Sequence, residues 1–412
     1  MAIIGIIAIN ACSESTLETV LKEENEKFDL AKISDDEMLN AVNLLMEFNN
    51  SQVTTRGDQL GAELEIGAEL EIQSISTTSY SYENEEQTSR KSPSHIDKET
   101  FNLQTLTFKK NGKDGFAIIS GDDRLAQIYA YTENGNLADT THNVGLGYVI
   151  SSIPDVCMFQ LDDYYANDAI IGEKVSTRSS NTQWLNLGPY INTSWHQEEP
   201  FNNLFPINNC HITTNNRYYA GCVTIALCQA IAYFNPPMGS LNGRFNYPAL
   251  TMYDYPYFAQ YMAADFVYYV GGRLGLNMNC IGSGTTLSSG LNLLNEWRFN
   301  YEHSSSNMNI DALTSTLHGG GVVIAGGTRK TDNMGHAWVL CGVRGDVKDA
   351  CPGRSCLNGS VPVNKNNMLY YINWGWGDAN NGWYNWALTE HPMTKPAPYL
   401  ANNSQIYLRS LK

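Results

Sequence analysis

Between residues 101 and 131, apolar and polar positions alternate in the two-residue rhythm of half-buried strands: Phe101, Leu103, Leu106 and Phe108, then Phe116 to Ile119, then residues 125–131. Asn111-Gly112 separates the first two runs and reads as a hairpin turn; Gly121-Asp122-Asp123 and Asn134-Gly135 punctuate the rest. Upstream, residues 15–50 carry helical spacing (Leu17, Val20, Leu21, then Ala31, Met38, Ala41, Leu44, Leu45, Phe48). A small sheet with helices is expected here, of α+β class. Two further stretches read differently. Residues 61–72 are a hexamer, Gly-Ala-Glu-Leu-Glu-Ile, written twice, too few copies for a solenoid, and read as a local duplication of an exposed strand or turn. Residues 77–98 are rich in Ser, Thr, Glu and Lys and read as a solvated linker.

The pattern changes after residue 180. Residues 219–233 mix small and bulky apolar side chains with no strong polar face, which predicts a helix packed on most sides; Asn235-Pro236-Pro237 ends it. Residues 258–270 and 291–297 predict more helices. Residues 322–325, 336–340 and 368–372 predict strands. Helices first and antiparallel strands later describe a second α+β unit with a helical half and a sheet half.

Composition sharpens this division. The chain of 412 residues has room for two domains and carries a net charge of −16, which argues against nucleic acid as a partner. Residues 181–412 hold 12 of the 42 Asp/Glu and 13 of the 26 Lys/Arg, so the net negative charge lies wholly upstream; all eight tryptophans lie downstream. The junction is expected near residues 174–178. No run of 18 apolar residues predicts a transmembrane helix. Residues 1–11 are apolar and end in Asn10-Ala11-Cys12, like a secretory leader, with Cys12 placed as in a lipoprotein; cleavage without lipidation, or a buried or disordered terminus, are the other readings. Nine cysteines form no framework, and neither Cys-x-x-Cys nor His-Glu-x-x-His is present to support zinc. Cys351 and Cys356 could close a small disulfide loop or stay free.

Cys222 stands at the start of the 219–233 helix, where unpaired N–H groups and the helix dipole stabilise a thiolate; Gly221 permits the sharp turn into it. A plain core cysteine is the alternative there, and is the reading for Cys228. His336 begins a strand after a glycine-rich loop, a place both fixed and reachable for a general base, though most lone histidines are merely part of a core. Asn373 could accept the imidazole N–H and Trp374 shield that bond. Gln197 could join the Cys222 N–H in an oxyanion hole. Core packing for the Trp/Gly run and a surface glutamine are the competing readings.

The order of these pieces is more specific than any one. Trp195-His196-Gln197, Gly221-Cys222-Val223-Thr224, Gly335-His336-Ala337-Trp338 and Asn373-Trp374-Gly375-Trp376-Gly377 together resemble the papain-like cysteine proteases, and most closely the streptopain family of secreted bacterial enzymes. Residues 115–124 are similar to the propeptide of that family. The resemblance implies a papain-like α+β fold preceded by a small α+β propeptide: a leader at 1–23, an inhibitory propeptide at 24–178 and a catalytic domain at 179–412. It implies Cys222 as nucleophile, His336 as general base then acid, Gln197 as oxyanion donor, and Asn373 with Trp374 as orienting and shielding groups. Gly221, Ser283, Gly335 and Ala337 fall on the substrate side. It further implies protein or peptide substrates, the chain's own propeptide as an intramolecular inhibitor, export, and no cofactor or metal. Asn279-Cys280 departs from the Asp-Tyr pair more usual in the family, and residues 345–364 read as an insertion. Two other classes stay open: a non-catalytic surface binding protein on the same scaffold, and a related Cys/His hydrolase acting on cell-wall amides.

Overall fold

The computed structural model describes residues 36–51, 70–82, 99–141, 143–171, 182–209, 211, 213–236, 245, 257–279, 282–305, 308–329, 334–348, 368–385 and 400–411. The expected leader with Cys12, most of the duplicated hexamer, the 174–178 junction and the Cys351/Cys356 loop lie outside these residues. The chain divides into two units: residues 1–133 with 154–177, and residues 134–153 with 178–412.

The first unit is a four-stranded antiparallel sheet with a helix on it. Helix α1 (Asp36–Ser51) buries Ala41, Val42, Leu45 and Phe48, one face of a 3.6-residue repeat. Strands β1 (Glu71–Tyr82), β2 (Glu99–Lys110), β3 (Lys113–Ile119) and β4 (Ile128–Thr132) pair in sequence order. Asn111 and Gly112 both take positive φ, 52° and 74°, the backbone that a two-residue hairpin demands. Arg124 pins the turn before β4, its guanidinium reaching Asp122 at 2.7 Å and Glu99 at 2.6 Å.

One expectation fails here, and one element has no counterpart in the sequence reading. Residues 77–82 are not linker but the end of β1, in register with β2 from Thr77↔Gln104 to Tyr82↔Glu99. β1 is the first strand of its sheet and most of its side chains are exposed, so Ser and Thr there face water rather than mark disorder. The element without a counterpart is helix α2 (Val144–Ile171), 28 residues long. Pro154 in its middle and glycines at 145 and 147 hide it from propensity reading. Its stretch Val144–Asp162 is long and apolar enough by length and composition to cross a membrane. Leu146, Val149, Ile153, Val156 and Leu161 are nonetheless at most 3 % exposed, as in a core helix.

The second unit is the segregated α+β arrangement. Its strands run in the order β12 (Gly382–Asn385), β11 (Leu369–Asn373), β10 (Gly335–Lys348), β9 (Val322–Arg329), β13 (Leu400–Leu411), β8 (Phe299–Ser304), all antiparallel, with β5 (Thr182–Leu187) on the far part of β10. Helix α3 (Cys222–Phe234) lies on β9 and β10, and Val223 through Ala232 are all buried. That continuous burial explains why its sequence shows no polar face. Helix α4 (Tyr257–Arg273) packs on α3, α5 (Leu291–Glu296) packs on β8, and α6 (Ile310–His318) packs on β9, β10 and β13; β6 (Asn277–Met278) and β7 (Ser283–Gly284) form a short hairpin. Asn309 caps α6 by accepting from the Ala312 N–H at 2.9 Å.

Candidate active site

Cys222 is the first residue of α3. Gly221 before it has φ 84° and ψ 135°, a conformation open to glycine alone among ordinary residues. A Cβ on Gly221 would also fall 2.8 Å from Leu276 Cδ1 and 2.9 Å from the Ser283 carbonyl oxygen. The β7 backbone therefore lies directly beside the candidate nucleophile, which brings Ser283 and Gly221 together. The backbone N–H dipoles of Ala337, Val223 and Cys222 itself favour a thiolate at this position. Burial pushes the thiol above its ordinary range and those N–H groups only partly offset it. Cys228, two turns on, is fully buried in the core.

Ala337 follows His336 in β10, the strand on which the cysteine helix packs. Gly335, the first residue of the strand, is exposed. Gln197 is buried, and its carbonyl accepts from the Ala220 N–H at 2.9 Å, which fixes it two residues before Cys222. His336 is buried among three indoles, its ring centroid 5.9 Å from Trp338, 6.4 Å from Trp374 and 6.0 Å from Trp376. Burial pulls its pKa down to about 4, against the opposing effect of the Trp374 carbonyl, which lies 2.9 Å from Nε2. A carbonyl only accepts, so Nε2 carries the proton and Nδ1 the lone pair.

Asn373 does not take the role expected of it in this structure. Its Oδ1 accepts from Gln229 Nε2 at 3.2 Å and from the Gly375 N–H at 3.1 Å; its Nδ2 donates to the Thr193 carbonyl at 2.8 Å and to Gln229 Oε1 at 3.1 Å. With both lone pairs engaged, it leaves the imidazole donor to the Trp374 main chain. Gln229, on α3, also accepts from Thr193 Oγ1 at 2.7 Å, so one amide cluster ties α3, the 193–195 segment and β11 together. Trp374 is fully buried and its Nε1 donates to the Asn380 carbonyl at 2.9 Å.

Three participants escaped the sequence reading. Gln229 and Asn380 are buried polar residues, the former an amide in a largely apolar helix, which is a readable signal. Gly145 is the third. A Cβ there would lie 2.5 Å from Trp374 Cζ3 and 2.8 Å from His336 Cδ2, so the first turn of α2 rests flush on the imidazole. Among the described residues no group of three or more His, Cys, Asp or Glu is placed to hold a metal ion.

Residues 72–154 match the Spi protease inhibitor family. Among solved structures, a prointerpain A fragment from Prevotella intermedia is similar at 19 % identity, covering 73 % of this chain and 94 % of its own, with a TM-score of 0.48. The active wild-type interpain A cysteine protease of the same organism is similar at 18 % identity, covering 54 % of this chain and 94 % of its own, with a TM-score of 0.39. No curated protein matches the chain. The inhibitor-family match thus lies upstream of the unit that carries Cys222 on α3 and His336 on β10.

Proposed function

We propose that the chain is the latent precursor of a cysteine endopeptidase, with residues 24–178 as its inhibitory propeptide. The observation that carries this reading is Cys222 as the first residue of α3 behind a positive-φ glycine, with α3 packed on β10, the strand that carries His336, and Gln197 tied to the turn before the cysteine. In the reaction, His336 Nδ1 takes the thiol proton as sulfur attacks the scissile carbonyl. The tetrahedral oxyanion is held by the Cys222 N–H and the Gln197 amide. Collapse expels the amine, which takes its proton from the imidazolium and leaves a thioester. Water, deprotonated by the same imidazole, then releases the acid. No cofactor enters these steps.

Latency follows from electrostatics. A reactive pair needs the thiol to ionise more readily than the imidazolium loses its proton. Burial drives the two the opposite way here, thiol up and imidazole down, so both stay neutral. The segment around Gly145 sits against that imidazole, and removing it admits water and a substrate carbonyl. We propose also that the leader directs export, with Cys12 as lipid attachment site or the leader simply cleaved.

The test uses the full-length chain and Cys222→Ala, incubated with reductant and followed by intact mass and casein hydrolysis. Loss of an N-terminal piece with gain of activity in the first and neither in the second is expected. A trimmed Cys222 chain that cleaves no protein overturns the reading. Labelled palmitate taken up by the wild type but not by Cys12→Ala distinguishes lipidation from cleavage alone.

A further inference from the structure

Asn380 is 1 % exposed and holds φ 62°, and its polar groups divide between two sets of partners. Its carbonyl accepts from Trp374 Nε1 at 2.9 Å and from the Tyr384 hydroxyl at 2.6 Å. Its other groups turn to residues upstream of the expected maturation site. The backbone N–H donates to the Asn134 carbonyl at 2.6 Å, Oδ1 accepts from the Asn136 N–H at 3.0 Å, and Nδ2 donates to Asp139 Oδ2 at 3.2 Å. Gly135 makes the approach possible, since a Cβ there would fall 2.2 Å from Asn380 Oδ1.

From that anchor the backbone runs stiffly to the imidazole. The 3-10 turn Leu137–Thr141 follows, with the Asp139 N–H on the Asn136 carbonyl at 3.0 Å. The Asn143 N–H then bonds the Asp139 carbonyl at 2.9 Å, and the Asn143 side chain accepts from the Leu146 N–H at 3.0 Å, capping α2. One residue before Leu146 is Gly145, against His336 and Trp374. The path closes, because the indole of Trp374 is itself held by Asn380.

We propose that Asn380 is a positioning residue that fastens the propeptide turn 134–139 and the tryptophan behind the histidine at one point. The surface around it recognises a glycine-containing turn that offers a carbonyl, an N–H and a carboxylate in succession. Its presence latches Gly145 over His336; losing the turn leaves three buried polar groups of Asn380 without partners and frees the Trp374 support to relax. The consequence for activity rests on the zymogen reading, so the test is read without activity first.

Amide hydrogen exchange is measured on full-length Cys222→Ala, which cannot process itself, alone and with Asn380→Asp, Asp139→Asn, or both. Asn380→Asp keeps the shape and a residue tolerant of positive φ, but sets a carboxylate against Asp139. Exchange across residues 134–149 should rise about tenfold or more, the factor expected from losing a hydrogen bond to a charged group. Combining it with Asp139→Asn restores an amide-to-carboxylate bond in the opposite sense and should return exchange to within about twofold of the parent. Asp139→Ala is partly exposed, so its folding is not at stake, and it should loosen the same residues. Unchanged exchange in Asn380→Asp and Asp139→Ala overturns the proposal, as does a pair no better protected than Asn380→Asp alone. If exchange behaves as expected while the Cys222 chain hydrolyses no protein, the latch stands and the protease reading fails.

Discussion

Replacing Gly145 with alanine puts a methyl group 2.5 Å from Trp374 Cζ3 and 2.8 Å from His336 Cδ2. Carbon atoms in contact settle at about 3.5–4.0 Å, so the overlap is about 1 Å. Neither neighbour has slack: the Trp374 indole is bonded to Asn380 and the His336 ring to the Trp374 carbonyl. The strain is relieved by lifting the first turn of α2. Overpacking of this kind costs about 1–3 kcal/mol, and the higher helix propensity of alanine returns at most ~1 kcal/mol. A net of about 1–2 kcal/mol raises the lifted population roughly 5- to 30-fold. Iodoacetamide labelling of Cys222 in the full-length chain, mapped by peptide mass, should accelerate by that factor. Casein hydrolysis should begin correspondingly earlier. Gly272→Ala is the control, because a Cβ at that helical glycine meets nothing within 4 Å and leaves labelling unchanged. Gly145→Ala labelled at the parental rate would falsify the placement of α2 on the imidazole.

Further consequences are open to direct measurement. With its pKa pulled to about 4, His336 resists protonation in the folded chain, while the unfolded chain binds that proton near pH 6.5. The unfolded state therefore gains protons first as pH falls, and stability drains between pH 6.5 and 4, by roughly 3 kcal/mol. Denaturant midpoints of Cys222→Ala should fall more steeply over that range than those of Cys222→Ala/His336→Gln; equal slopes would sink the argument. Because burial raises the Cys222 thiol, alkylation of the precursor should stay slow at neutral pH and climb only in alkali. Gln229→Leu strands the Asn373 amide and the Thr193 hydroxyl and should lower stability by roughly 3 kcal/mol, seen as an earlier thermal transition. An unmoved transition would mean that the amide cluster holds nothing.

Local patterns were legible where one residue type answers one physical demand. Asn111-Gly112 announced a hairpin because both positions need positive φ. The helix at Cys222 announced itself by apolar continuity, since every side of it is packed. Reading failed where composition and environment part company. Polar residues 77–82 are strand because an outer strand wets its side chains. Helix α2 stayed hidden behind Pro154 and two glycines, although Gly145 is there for close approach rather than for flexibility. The candidate nucleophile and base followed from ordered motifs, but the histidine's partner did not. Sequence offers Asn373 as an acceptor; only three dimensions reveal that Gln229 and Gly375 already occupy it. Asn380 lay beyond reach for the same reason, its partners being some 240 positions upstream.

The placement of β13 bears on when this chain becomes competent during its synthesis. Leu400–Leu411 lies between β9 and β8, and pairs with both. Until that segment has left the ribosome, β8 has no neighbour in the sheet and β9 presents an open edge. Residues 134–153 emerge far earlier, so the segment that rests on His336 and Trp374 is made before the strand that completes the sheet arrives. A premature stop before Leu400 would leave two unpaired edges on an apolar core, a template for association between nascent chains rather than a shortened enzyme.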